Sequence, residues 1–226
     1  MNRKASYGLR AIGDGVLTEL DRALRTLSGS ELPVGPMPSP SEQEQPAAGY
    51  NSPTSLTPSE RALATALMRV NHAGEVAAQA LYRGQALTTV DPEVREALLD
   101  AAREEEAHLG WCRQRVTELG GRTSVLGPAW YAGSFALGAT AGLLGRSAGL
   151  GFVLETERQV EAHLSDHLSR LPSGDTASRT VVHQMRNDEA AHGARARALG
   201  AAELPKPVRQ AMRLMAGFMT TVAHRV

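Results

Sequence analysis

Glu104-Glu105-Glu106-Ala107-His108 and, 84 positions further on, Asp188-Glu189-Ala190-Ala191-His192 share one frame: two acids, two spacers and a histidine. On a helix, a Glu and a His three apart project from the same side, so each copy presents a carboxylate and an imidazole to one point. A single such pair means little. Each copy, however, is preceded by a lone Glu at matched distance, Glu75 lying 30 residues before Glu105 and Glu157 lying 32 before Glu189. One Glu from each of two helices and Glu-x-x-His from two others is the ligand recipe for a pair of metal ions inside a four-helix bundle.

The flanking sequence supplies those helices. Thr57-Pro58-Ser59-Glu60 reads as a capping box with Pro at the first helical position, and the helix runs through Leu63, Leu67, Val70, Ala73, Ala77 and Leu81 to about Leu87. Glu75 falls inside this apolar run, where an unpaired carboxylate is costly, so it needs a partner. Asp91-Pro92-Glu93 caps a second helix that returns antiparallel and ends at Gly120-Gly121. Ser147 to Leu171 forms a third, Pro172-Ser173-Gly174-Asp175 turns the chain, and a fourth runs to about Leu199. The expected fold is all-α: two helical hairpins joined by one long connection, with weak internal duplication.

Residues 123–145, the connection, carry no charge but contain Pro128 and many glycines. They predict a crossover helix apolar on all sides, partly on the core and partly at a bilayer, with Trp130 and Tyr131 at the interface level. After Leu204-Pro205-Lys206-Pro207 comes a terminal amphipathic helix carrying Val208, Met212, Leu214, Met215, Phe218, Met219 and Val222, edged by Arg209 and Arg213. It packs on the crossover or binds membrane beside it. The expected organisation is an N-terminal amphipathic helix within residues 1–27, a linker rich in Pro and Ser over 28–57, and the metal-binding domain over 58–226.

The formal net charge is +0, so no bulk positive field favours nucleic acid. Cys112 is the single cysteine, which excludes a disulfide framework, a thiolate zinc site and an iron–sulfur cluster within one chain. Arg3, Lys4 and Arg10 are followed by no long apolar core, and no secretory leader is expected.

Glu75, Glu105, His108, Glu157, Glu189 and His192 offer four carboxylates and two imidazoles without thiolate. This donor set suits iron or manganese and admits zinc. Four ionised Glu with two neutral His balance two divalent ions, which explains how four acids share a low-dielectric core. Glu105 and Glu189 are expected to bridge the ions, Glu75 and Glu157 to terminate one each, and each His to complete one ion. Glu104, Glu106 and Asp188 are expected to be solvated or to support the ligands. His72 is a candidate supporting donor, Asn71 either orients a carboxylate or is exposed, and His167 and His183 are expected at the surface. Tyr82, two turns on from Glu75, either approaches the site or only packs. His163 lies close to the face of Glu157 and is a candidate proton relay.

Arg69-Val-Asn-His-Ala-Gly-Glu75, Glu105-Glu-Ala-His108, Phe135-Ala-Leu-Gly138 with Leu143-Leu-Gly145, Thr156-Glu157 with His163, and Asp188-Glu189-Ala-Ala-His192 together resemble the demethoxyubiquinone hydroxylases, over roughly Leu56 to Val226. The resemblance implies a ferritin-like four-helix bundle with two Fe ions on the same six ligands, and it places the family's site-adjacent histidine at His163. His163, and Tyr82 by its spacing from Glu75, are the candidate catalytic residues. It further implies hydroxylation of 2-polyprenyl-3-methyl-6-methoxy-1,4-benzoquinol with dioxygen, with reducing equivalents from NADH. The implied setting is a peripheral membrane protein on the cytoplasmic face of the bacterial inner membrane. Its partners would be the polyprenyl benzoquinol, the membrane surface, further copies of itself and other ubiquinone-biosynthesis proteins, with no nucleic acid. The competing reading is a ferritin-like iron-binding or ferroxidase protein without quinol chemistry.

Overall fold

The structure is a computed structural model that describes residues 18–28, 36–39 and 56–226. Among these residues it is entirely helical: α1 over residues 18–28, α2 (Pro58–Thr88), α3 (Pro92–Glu118), α4 (Gly127–Gly142), α5 (Arg146–Arg170), α6 (Thr176–Ala198) and α7 (Lys206–Ala223). Most of the expected linker, and the expected helix before residue 18, lie outside the described residues.

Local chemistry starts and stops these helices. Thr57 and Glu60 close a reciprocal capping box on α2, with Thr57 N–H donating to Glu60 Oε2 at 2.9 Å and Glu60 N–H to Thr57 Oγ1 at 3.3 Å. Asp91 accepts from the amides of Glu93 and Val94 at 3.1 and 3.2 Å to start α3. Asp175 Oδ1 accepts from Ser178 N–H at 3.1 Å to start α6. The same carboxylate receives Arg115 Nη2 of α3 at 2.9 Å, and Arg115 Nε reaches Ser178 Oγ at 3.2 Å. A buried staple thus ties the two hairpins, α2–α3 and α5–α6, together at one end.

The bundle interior is stratified. One apolar layer draws Leu67 and Met68 from α2, Cys112 and Val116 from α3, Leu164 and Leu168 from α5, and Val181 and Met185 from α6. A second takes Leu81 and Tyr82, Leu98 and Ala102, Leu150 and Leu154, and Ala196 from the same four helices. In every helix the two layers are separated by one of Glu75, Glu105, Glu157 and Glu189, so the acids form a polar stratum between two layers of hydrocarbon.

The crossover helix α4 lies along α2 rather than standing away from the bundle. A Cβ on Gly138 would overlap the Leu81 carbonyl, and one on Gly84 would overlap the Phe135 carbonyl. The glycines of the uncharged stretch thus permit near backbone contact between α4 and α2. Leu137, Leu143 and Leu144 remain exposed on its outer side. No helix among the described residues is long and apolar enough to cross a membrane. The α7 helix joins this surface through an edge contact of Phe218 with Trp130 at 6.3 Å between ring centroids, and leaves Leu214 and Met215 exposed. The α1 helix packs Ala23 and Leu27 with Tyr131 and Phe135 of α4, and docks through Thr26 Oγ1 donating to buried Gln79 Oε1 at 2.7 Å and Arg113 Nη2 donating to the Thr26 carbonyl at 2.9 Å.

Candidate metal centre

The α2, α3, α5 and α6 helices bring all six predicted ligands into one buried cluster. Glu75, Glu105, His108 and Glu189 place ligand atoms within 4.8 Å of one another, as do Glu157, Glu189 and His192. His108 Nδ1 stands 3.1 Å from Glu105 Oε2, 3.6 Å from Glu75 Oε2 and 3.7 Å from Glu189 Oε1. His192 Nδ1 stands 3.6 Å from Glu105 Oε1, 3.8 Å from Glu157 Oε1 and 3.5 Å from Glu189 Oε2. Glu105 and Glu189 therefore turn one oxygen to each histidine, whereas Glu75 serves His108 alone and Glu157 serves His192 alone. The arrangement has local two-fold character, relating α2 to α5 and α3 to α6.

The outer nitrogens complete a crossed pattern. His108 Nε2 donates to Asp188 Oδ2 at 3.1 Å, and His192 Nε2 donates to Glu104 Oε2 at 2.9 Å. Each imidazole is thus oriented by the acid preceding the shared Glu on the opposite helix, which fixes the tautomer and aims Nδ1 inward. Glu106 instead pairs with buried Arg83. The spacing of residues along one helix carries no information about this crossing, because it depends on how the two hairpins dock.

Electrostatics shows what the cluster lacks. Burial, with Glu189 and Glu75 close by, drives the Glu105 carboxyl well above the usual range, and burial with Glu189 does the same to Glu157. Burial also pushes Glu189 upward, but His192 and Glu157 close beside it, with His108, hold its pKa below the usual value. Burial opposes protonation of both histidines, yet the bond to Asp188 raises His108 well above its ordinary value and the neighbouring Glu189 carboxylate raises His192 to about 9. Without added cations, the cluster keeps protons in order to limit its negative charge. Among the described residues, no hydrogen bond reaches Glu75 Oε2, Glu105 Oε1, Glu157 Oε2 or His192 Nδ1, all of them buried. Inward-facing oxygen and imidazole donors left without partners fit a pair of hard or borderline divalent ions.

Tyr82 approaches the site: it is fully buried, and its phenol donates to Glu157 Oε1. Burial and then the surrounding carboxylates raise its pKa well above the ordinary value, so the proton stays on the oxygen. His163 does not join the six. Its ring packs on His167 at 3.9 Å between centroids, and His167 Nδ1 donates to Asn71 Oδ1 at 2.7 Å. The surface expectation for His167 is corrected, since it is 1% exposed and burial pushes its pKa down to about 2. It lies one turn past His163 and beside Leu164 and Leu168, on the side of α5 that meets α2, and Asn71 buries with it. His72 is buried too, with Nε2 unbonded and its pKa pushed down to about 3 by burial and the Arg113 charge, so it supports none of the carboxylates. His183 is half-buried beside Arg186. Glu161 is exposed, and Cys112 is buried against Met185.

A family profile described as "Ubiquinone biosynthesis protein COQ7" matches residues 62–223. The chain belongs to this family. Its relatives include a protein of Variovorax paradoxus named 3-demethoxyubiquinol 3-hydroxylase, 55% identical over 213 residues, covering 94% of this chain and 98% of the relative. A protein of the same name from Ralstonia pickettii is 52% identical over 215 residues, covering 94% and 99%. Among solved structures, the COQ7-family chain is similar to a dodecameric thioferritin of Bacteroides fragilis, with a TM-score of 0.52 and 15% identity over 69% of this chain and 89% of that one. That likeness establishes a ferritin-like fold. The COQ7 match takes in α3, α5, α6 and all of α2 from residue 62 onward, and so every residue of the cluster.

Proposed function

We propose that this chain is a di-iron quinol monooxygenase that hydroxylates 2-polyprenyl-3-methyl-6-methoxy-1,4-benzoquinol, the demethoxyubiquinol of ubiquinone biosynthesis, with dioxygen as co-substrate and NADH as the source of electrons. The observation that carries the reading is the division of labour among the carboxylates, two shared between the histidines and two private, in a chain more than half identical to proteins named for this hydroxylation.

Glu75, Glu105, His108 and Glu189 would hold one ion, and Glu157, Glu189, Glu105 and His192 the other. Iron bound there would supply the two-electron activation of dioxygen, so that ring C–H and O2, with two electrons and two protons, become ring C–OH and water. The protein's own work is positional. Asp188 and Glu104 aim the imidazoles, and the Tyr82 proton on Glu157 Oε1 fixes that carboxylate. The apolar layers above and below leave the four acids at most 2% exposed. His163 stands beside His167 rather than among the ligands, and burial favours the neutral form of both rings.

The exposed Leu143, Leu144, Leu214, Met215 and Phe218 support peripheral attachment to a bilayer, proposed here as the cytoplasmic face of the bacterial inner membrane, where a polyprenyl substrate resides. Further copies of the chain and other ubiquinone-biosynthesis proteins are proposed as partners.

The test is product formation from demethoxyubiquinol by anaerobically iron-loaded protein on admission of air, wild type against Glu157→Ala. Hydroxylated product from wild type alone is expected, and no product, or equal product from both, refutes the reading. Liposome flotation with and without residues 208–226 tests attachment separately. An unchanged soluble fraction in both cases counts against it.

A further inference from the structure

The two-fold character of the cluster fails at one end of the bundle. Beside Glu157 and His192, a partly open pocket of about 30 Å³ is walled by Ala97 and Ala101 of α3, Leu150 and Val153 of α5, and Ala196 of α6, with Arg195 also lining it. Glu157 lines it while only 2% exposed, and its Oε2 carries no hydrogen bond. Counting outward from the matching ligands locates the equivalent places at the other end. Ala97 and Ala101 lie eight and four residues before Glu105, where Val181 and Met185 precede Glu189. Ala196 lies four after His192, where Cys112 follows His108. Val181, Met185 and Cys112 are fully buried in one apolar cluster, and the Cys112 and Met185 sulfurs meet at 3.6 Å. Larger side chains thus fill the space beside Glu75 and His108 that three alanines leave open beside Glu157 and His192.

The size and lining of the pocket select its occupant. A cavity that accepts benzene measures about 150 Å³, so this one is too small for a quinol ring. Its walls are mostly hydrocarbon: Glu157 and His192 are buried at the metal-centre side, and Arg195 is half-exposed and engaged by Asp100 at 3.2 Å, whereas an ordered water needs two to four polar partners around it. We propose that this pocket is the approach route for dioxygen, a small apolar diatomic, to the Glu157–His192 half of the centre, separate from the route taken by the quinol. The proposal rests on the monooxygenase reading for its purpose, but not for its test.

That test uses dioxygen itself as the probe. The full-length chain is loaded with zinc, which is diamagnetic and does not react with dioxygen, and methyl relaxation is measured under dioxygen pressure. Enhancements at the Ala97, Ala101, Val153 and Ala196 methyls severalfold above those at Val181, Met185 and Leu164 are expected. They should collapse in Ala101→Met, which installs the side chain of the equivalent position, with zinc content retained. Should that variant fail to fold or to hold zinc, Ala97→Val serves the same purpose. Equal enhancement at both ends, or a pattern unchanged in the filled variant, overturns the proposal. With iron, Ala101→Met is expected to raise the KM for dioxygen and leave that for quinol unchanged. A rise confined to the quinol KM would make the pocket a quinol passage and refute the assignment. Wild-type protein that concentrates dioxygen there but forms no hydroxylated product would refute the monooxygenase reading alone.

Discussion

Tyr82→Phe removes one oxygen atom from a side chain that is 0% exposed, leaves no sizeable cavity, and deprives Glu157 Oε1 of its donor. A hydrogen bond to a charged group is worth about 1.5–3 kcal/mol. Loss of a group that orients a metal ligand costs about 10–100-fold in metal affinity, which is about 1.4–2.7 kcal/mol. The two scales agree, and because water cannot reach the phenol position, the effect should not be discounted for solvent. The loss should also be one-sided. Tyr82 lies seven residues after Glu75 and bonds across to Glu157, whereas seven after Glu157 stands Leu164, which has no oxygen to offer Glu75. Calorimetric titration of metal-free protein with manganese under anaerobic conditions should therefore show two binding steps in wild type. In Tyr82→Phe, only the step that Glu157→Gln also perturbs should weaken by about 10–100-fold. Equal weakening of both steps, or none, would refute the claim that the phenol orients this carboxylate.

Four further outcomes are expected. Metal uptake should strengthen with pH: Glu105, Glu157 and His108 have raised pKa values and His192 lies at about 9 in the metal-free chain, so binding must displace protons. Each proton displaced makes affinity fall by about tenfold per unit of pH decrease below the group's pKa, and affinity flat between pH 6 and 8 would contradict it. For the same groups the folded metal-free state binds more protons than the unfolded chain, so thermal stability without metal should fall as pH rises through that range, and metal should reverse the trend. Arg115→Ala should cost about 3–5 kcal/mol in urea unfolding, because it leaves Asp175 buried without its partner; a loss below about 1 kcal/mol, the range of an exposed pair, would show that the staple is not desolvated. Gly138→Leu should lever α4 from the Leu81 carbonyl and destabilise by at least about 1–3 kcal/mol, read as a lower melting temperature; an unchanged melting temperature would refute the close-packing account of the crossover glycines.

The helices and the six cluster residues were legible because capping boxes, apolar periodicity and Glu-x-x-His spacing are local properties of the chain. Glu104 and Asp188 could be recognised as acids near the site, but their crossed assignment to His192 and His108 depends on inter-hairpin docking. His167 was misjudged because no side chain within its own helix reveals that Asn71 of α2 meets it. The uncharged crossover was readable as apolar, but its glycines are explained only by the carbonyls of α2 pressed against them. The open pocket did have a sequence signal, alanines against valine and methionine at equal offsets from the two frames. That signal acquires meaning only once the local two-fold relation is known.

The crossed pairing of each imidazole with an acid from the other hairpin bears on when the centre can come into being during synthesis. A nascent chain that has exposed α2 and α3 offers Glu75, Glu105 and His108, yet Asp188 and Glu189 lie 70 and 71 residues beyond Glu118, where α3 ends. Neither imidazole has its orienting acid, and neither shared carboxylate has its counterpart, until α6 has emerged and docked. Capture of the metal pair therefore comes after both hairpins have met, which makes metal content a measure of completed assembly.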